Sequence, residues 1–345
     1  MVWAAFVLLV LFILAFDLGI FSRESKALSA RAALIRTTVY FVLALMFTVF
    51  VYFAYEHHWG GLGVYAAADA DHAGQDDHHA SSDLPENGWE AAAQFFMGYI
   101  LEQSLSIDNI FVIALILSYF QVPTAFQHRV LLWGILGALV MRGVMITLGI
   151  ALIERFAFTM YLFGALLLFT AFKMLFAGEG EVDFEKSRMI RLVRRLFRLH
   201  PSFVGDHFFT RVDGKLAMTP MFLALVIVET TDLVFAVDSI PAVIGLTQDP
   251  FLVFTSNVFA ILGLRSLYFA LADLLGRFHH LKYSLVAILA FVGIKMLVHD
   301  FLPHDQTMIT LFSLALIIIA LAIGIAASLM HPETPATPPD ETSPS

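Results

Sequence analysis

Apolar residues in this chain fall into long, nearly unbroken runs, and polar residues collect between them. Nine runs stand out, at roughly 2–21, 36–55, 93–120, 129–152, 156–177, 219–245, 251–275, 282–299 and 307–330. A helix needs ~20 apolar residues to cross the hydrocarbon core of a bilayer, and most of these runs reach that length. The pattern predicts an all-α, polytopic membrane protein with about nine transmembrane helices. The first run reads as a span and not as a signal peptide, because its basic residues Arg23 and Lys26 follow it. Between the runs lie a His- and Asp-rich loop at 56–92, a basic loop at 178–218 and a tail at 331–345 rich in Pro, Thr and acids. The chain 1–345 is therefore expected to form a single transmembrane domain, with the tail disordered.

Composition agrees with this class. The 345 residues are 59% hydrophobic and only 14% charged, with a mean hydropathy of +0.81. There is no cysteine, which excludes disulfides, thiolate metal sites and thiol redox chemistry. The net charge of -9 says little, because the charges sit in separate compartments. Their placement says more, since cytoplasmic loops carry an excess of Lys and Arg. Arg23, Lys26, Arg31, Arg36, Arg129, Arg277, Lys282 and eight basic residues of loop 178–218 fall on one side if the runs cross in turn; Arg155 alone falls on the other. The expected orientation in an inner (plasma) membrane has the N-terminus outside and the C-terminus cytoplasmic. Within loop 178–218, Met189, Leu192, Val193, Leu196 and Phe197 share one helical face opposite arginines, so a lipid bilayer is an expected partner. Residues 208–216 are expected to form a small hairpin. The 56–92 loop holds five His and several acids at irregular spacing. It reads either as a solvated spacer or as a weak, exchangeable metal-collecting segment.

Polar groups inside the runs carry the candidate chemistry. The stretch VIVETTDLVFAVDSIP, at 226–241, places Glu229, Asp232 and Asp238 within one apolar span. An ionised side chain at mid-membrane costs roughly 2.5–3.5 kcal/mol on insertion scales, so such acids pair with cations or line ion paths. Pro241 lacks an N–H and is expected to bend or break the helix beside Asp238. The third run repeats the theme: Glu102 and Asp108 have the spacing of Asp232 and Asp238, and Asn109 stands where Ser239 does. Arg142 and Arg265 then close the similar segments ILGALVMR and FAILGLR, and Lys173 and Lys295 open KMLF and KMLV. These anchors, in one order, indicate two copies of a three-helix unit. An odd number of spans per unit inverts the second copy, an architecture that secondary transporters favour.

At 100° per residue, Glu102 and Asn109 share a helix face, as do Asp232 and Ser239. The set Glu102, Asp108, Asn109, Glu229, Asp232, Asp238 and Ser239 offers carboxylate, amide and hydroxyl oxygen. That is hard chemistry, suited to Mn²⁺, Mg²⁺ or Ca²⁺. Arg142, Lys173, Arg265 and Lys295 are the charge-balancing groups. The competing reading makes these charges ion pairs that hold helices together, although buried pairs seldom add net stability.

The same residues resemble the TerC family of integral membrane proteins, and within it the Alx-type branch. The matching stretches are FDLGIFSR (16–23), GYILEQSLSIDNIFVI (98–113), LALVIVETTDLVFAVDSIPAV (223–243), FAILGLRSLYFAL (259–271) and GIKMLV (293–298). The resemblance implies a nine-span fold related to LysE-type transporters and a role in metal-ion homeostasis, chiefly Mn²⁺ export. Tellurite resistance and alkaline response are older associations of the family. It maps the family's acidic motif onto Glu102, Asp108, Glu229, Asp232 and Asp238. The expected function is export of a divalent metal ion, Mn²⁺ first and Ca²⁺ or another divalent ion next, with proton exchange as the natural coupling. The alternative is a non-transporting scaffold or insertion factor, or a tellurite-resistance or redox-associated membrane protein. No catalytic residue, resident cofactor or nucleic-acid partner is expected.

Overall fold

The computed structural model describes residues 2–21, 30–63, 84–156, 158–176, 200, 202–205, 207–212, 215–271, 281–298 and 306–330. Among them are nine α-helices: α1 Val2–Phe21, α2 Ala30–Glu56, α3 Gly88–Tyr119, α4 Thr124–Arg155, α5 Phe158–Phe176, α6 Pro220–Ile244, α7 Pro250–Leu271, α8 Leu281–Leu297 and α9 Gln306–Met330. Helices α2 to α6 and α9 are long and apolar enough to cross a membrane, and α1 and α7 contain shorter apolar stretches. The chain is an all-α, polytopic membrane protein. Most of loop 56–92, the basic stretch 189–197 and the tail lie outside the described residues.

Helix ends follow local chemistry. Asn87 accepts the Glu90 N–H at 2.9 Å, and the Glu90 carboxylate reaches back to the Glu86 N–H at 2.8 Å. Together these two side-chain bonds cap the start of α3. Glu56, at the end of α2, accepts the Gly88 N–H at 3.1 Å. Pro220 opens α6 at a position where a missing N–H is harmless. Threonines inside the spans satisfy themselves on their own helix: Thr230 and Thr231 donate to the carbonyls of Val226 and Ile227, each at 2.7 Å. The break expected beside Asp238 is absent, since α6 runs continuously to Ile244 and Pro241 lies in its last turn. A proline there removes one hydrogen bond where the helix is about to end. An antiparallel hairpin, β1 Phe209–Val212 and β2 Lys215–Met218, precedes α6, with Phe209 opposite Met218 and Val212 opposite Lys215.

Cross-links sort the helix ends onto two faces. At one face Lys295 Nζ donates to the Gly245 carbonyl at 3.1 Å, and Gln248 Nε2 lies 3.4 Å from Met160 Sδ. Here α2, α6 and α8 end and α3, α5 and α7 begin. At the other face Tyr268 donates to Gln127 Oε1 at 3.1 Å, and Arg129 lies 5.5 Å over the Phe208 ring. The central core joins α3, α4, α6, α8 and α9 through Met97, Leu101, Ile146, Ile240, Val292 and Ile317. A second, aromatic core packs Phe6, Phe47, Phe95 and Phe259 between α1, α2, α3 and α7.

The main contacts among α3 to α8 have a simple order, with α2 lying outside it against α3 and α7. Helix α3 packs on α7, α4 on α6, and α5 on α8, with α4 also on α7 and α3 on α6. Exchanging the unit α3–α5 with the unit α6–α8 leaves this pattern unchanged.

Candidate ion pathway at the centre of the bundle

Arg142, midway along α4, is only 2% exposed. Asp232 lies midway along α6, and two helical turns later comes Ser239 on the same face. Glu102 lies midway along α3 and is fully buried. These helices aim their polar groups at one guanidinium. Its Nε and Nη2 donate to the two oxygens of Asp232 at 3.3 and 3.1 Å, a bidentate fork. Its Nη1 donates to Glu102 Oε1, to Asn257 Oδ1 at 3.0 Å and to Ser239 Oγ at 3.4 Å. One arginine thus ties together α3, α4, α6 and α7.

The cluster holds more acid than this base neutralises. Glu229 lies one turn before Asp232 and interacts with it electrostatically. Its carboxylate rests against α4 at Gly137, so closely that a Cβ on Gly137 would collide with it. The Oε2 atoms of both Glu102 and Glu229 are buried and without a hydrogen-bond partner among the described residues.

Among the described residues the remaining candidates make no hydrogen bond to Arg142. Asp238 accepts from the Thr170 hydroxyl of α5 at 2.9 Å, with Lys173 in electrostatic reach. Lys173 itself is exposed on α5. Lys295 is buried and meets the C-terminal carbonyl of α6. Asn109 is buried on α3. The side chains of Asp108 and Arg265 lie outside the described residues. Among the described residues no three His, Asp or Glu side chains converge into a group that could hold a metal ion. The guanidinium of Arg142 fills the space between Glu102 and Asp232.

Three participants escaped sequence reasoning. Asn257 was legible in principle, as a lone amide in the apolar α7. Its own side-chain nitrogen is anchored on the Val253 carbonyl at 3.1 Å, which turns its oxygen toward Arg142. Thr170 and Gly137 carried no signal, because threonines and glycines are common in spans without a role.

Fold and site together define a multi-pass integral membrane protein with a carboxylate–arginine centre inside the bundle. The chain belongs to the Integral membrane protein TerC family, which matches residues 87–335. It is 40% identical over 328 residues to a membrane protein of Myxococcus xanthus, covering 95% of this chain and 92% of that one. It is 41% identical over 302 residues to the Alx protein of Escherichia coli (strain K12), covering 87% of each. A Rickettsia bellii membrane protein is 33% identical over 331 residues, covering 96% of this chain and 98% of its own. No solved structure matches the chain.

Proposed function

We propose that this chain is a divalent metal-ion transporter of the inner membrane, an exporter with Mn²⁺ as its best-fitting cargo. The observation that carries the reading is the pair of partnerless buried carboxylate oxygens, Oε2 of Glu102 and Oε2 of Glu229, beside a cluster with surplus acid. Leaving such a group unsatisfied costs about 1–3 kcal/mol, more when it is charged, and a cation or proton is what it lacks. All ligand atoms on offer are hard oxygens, which favours Mn²⁺, Mg²⁺ or Ca²⁺ over soft metals. Asp108, Asn109 and Asp238 are further proposed ligands, and Lys173, Arg265 and Lys295 further balancing charges. Exchangeable helix contacts and the matching acid pairs support an inverted repeat working as two halves.

The test is Mn²⁺ flux into vesicles reconstituted with the full chain, with and without a pH gradient. Wild type is expected to carry Mn²⁺, and Asp232→Asn or Glu102→Gln to lose nearly all flux while still inserting. Flux no greater than that of protein-free vesicles in either condition would end the transport reading.

A second reading is favoured by the way Arg142 ties four helices, as a scaffold would. On that reading the acid variants lower thermal stability and wild type shows no flux. The name of the Alx relative suggests a membrane-bound redox modulator. With no cysteine, a redox role here would not run through thiols of this chain.

A further inference from the structure

We propose that Arg142 is a tethered stand-in for the transported cation, holding the carboxylate pair when no metal is present and leaving it when metal enters. The inference rests on the transport reading above and says how the empty carrier is handled.

The guanidinium occupies Glu102, Asp232 and Ser239, three of the oxygen-bearing side chains proposed to receive the metal. A hard divalent ion sits about 2.0–2.6 Å from its ligand oxygens, so ion and guanidinium cannot use the same oxygens at once. Two cations at that separation also repel strongly in a medium of low dielectric. Metal binding at this place is therefore competition with Arg142.

A transporter needs such a competitor if it is to return empty. Without one, Glu102 and Asp232 would face each other unneutralised while the bundle rearranges, and each buried charge carries a large desolvation penalty. A built-in cation offsets part of that penalty, so the carrier can reset without cargo and achieve net transport instead of metal-for-metal exchange.

The structure also offers the arginine a place to go. Glu229 lies against α4 at Gly137, five residues before Arg142 and roughly 7.5 Å away along the helix axis. Helical side chains lean toward the N-terminus, which is the direction of Gly137. Glu229 Oε2 is buried and lacks a partner among the described residues. On α6, Glu229 stands one turn before Asp232, so it is the next carboxylate along the helix that Arg142 already grips.

Two measurements on the full-length chain test the idea: Mn²⁺ affinity in detergent, and Mn²⁺ flux in vesicles run as net uptake or as exchange against internal Mn²⁺. When the binding-competent state is only a fraction of the population, removing the competitor raises apparent affinity by the inverse of that fraction, here expected to be about tenfold. Arg142→Gln should therefore bind Mn²⁺ more tightly, keep exchange and lose most net uptake. Arg142→Lys should retain both modes. Weaker binding by Arg142→Gln, or equal loss of both modes in protein that inserts normally, overturns the proposal. If Arg142→Gln does not fold, Asn257→Ala decides, since it keeps the charge and only loosens the grip of α7 on the guanidinium. Tighter Mn²⁺ binding supports the proposal, and unchanged or weaker binding overturns it. A wild-type chain silent in both flux modes overturns the transport reading itself; active wild type with the opposite variant behaviour overturns this inference alone.

Discussion

At the scale of single residues, two glycines on α4 differ in what they face. A Cβ on Gly137 would strike the Glu229 carboxylate, whereas one on Gly134 would meet only Val228 Cγ1, at an ordinary 3.5 Å. Overpacking costs about 1–3 kcal/mol, while Ala in place of Gly within a helix recovers up to about 1 kcal/mol. The Glu229 carboxylate ends a flexible side chain and can swing aside, so Gly137→Ala is expected to lower Mn²⁺ flux with only a small change in unfolding temperature, and Gly134→Ala to leave both nearly unchanged. Equal behaviour of the two in a thermal melt and flux assay would remove Glu229 from the pathway. Asp249, between α6 and α7 and outside the spans, makes a pH prediction. It caps α7 by accepting the N–H groups of Phe251 and Leu252 at 2.8 and 3.2 Å. Burial raises its carboxyl above the usual 3.8, outweighing the hydrogen bonds that lower it. The folded chain thus holds this proton more tightly than the unfolded chain, so its contribution to stability is full below the usual value and is lost as pH rises through the raised one. Asn also serves as a helix N-cap and does not ionise. Asp249→Asn should gain stability relative to wild type as pH climbs from acid toward neutral, read from thermal unfolding across pH. A stability difference that ignores pH would show that Asp249 does not titrate in this way.

At the scale of elements, α5 and α8 meet backbone to backbone. A Cβ on Gly164 would sit 2.9 Å from the Gly293 carbonyl oxygen, and a Cβ on Gly293 equally close to that of Gly164. Membrane helices associate through such small residues because lipid supplies no hydrophobic drive between them. Gly164→Val should force the pair apart and destabilise the bundle by about 1–3 kcal/mol or more. A detergent thermal melt checks this, and an unchanged melting temperature would mean the contact is loose. The separation matters to the site, because α5 also brings Thr170 to Asp238.

At the scale of the whole molecule, helix ends sort onto two faces with α2, α6 and α8 finishing where α3, α5 and α7 start. Combined with the one-sided placement of Lys and Arg, this predicts an external N-terminus and a cytoplasmic C-terminus. Reporter fusions at the two ends are expected to light up on opposite sides of the membrane, and activity of both on one side would require an even number of crossings. The same frame explains why charges scattered over a long stretch of sequence act together. Exchange of the two three-helix units leaves the main contacts among α3 to α8 unchanged, and α3 packs directly on α6.

Membership of the all-α, multi-pass class was decided by the sequence alone, because hydrocarbon leaves a chain rich in long apolar runs little choice but helices that satisfy their own backbone. The intramembrane acids and Arg142 were visible for the same reason: charge in an apolar run is costly and therefore conspicuous. Which acid meets which base was not visible. Arg142 could have paired within its own three-helix unit, yet it also takes Asp232 of the other, and it shares Asn257 and Ser239 from helices far along the chain. Periodicity reports the face a residue occupies on its own helix but not the rotation and depth of the neighbouring helix. Close packing between helices fixes those, through glycines such as Gly137 and Gly164 whose absent side chains leave no pattern to read. The course of α6 past Pro241 belongs with them, since the proline's rule was correct and only its distance from the helix end decided that no break would form.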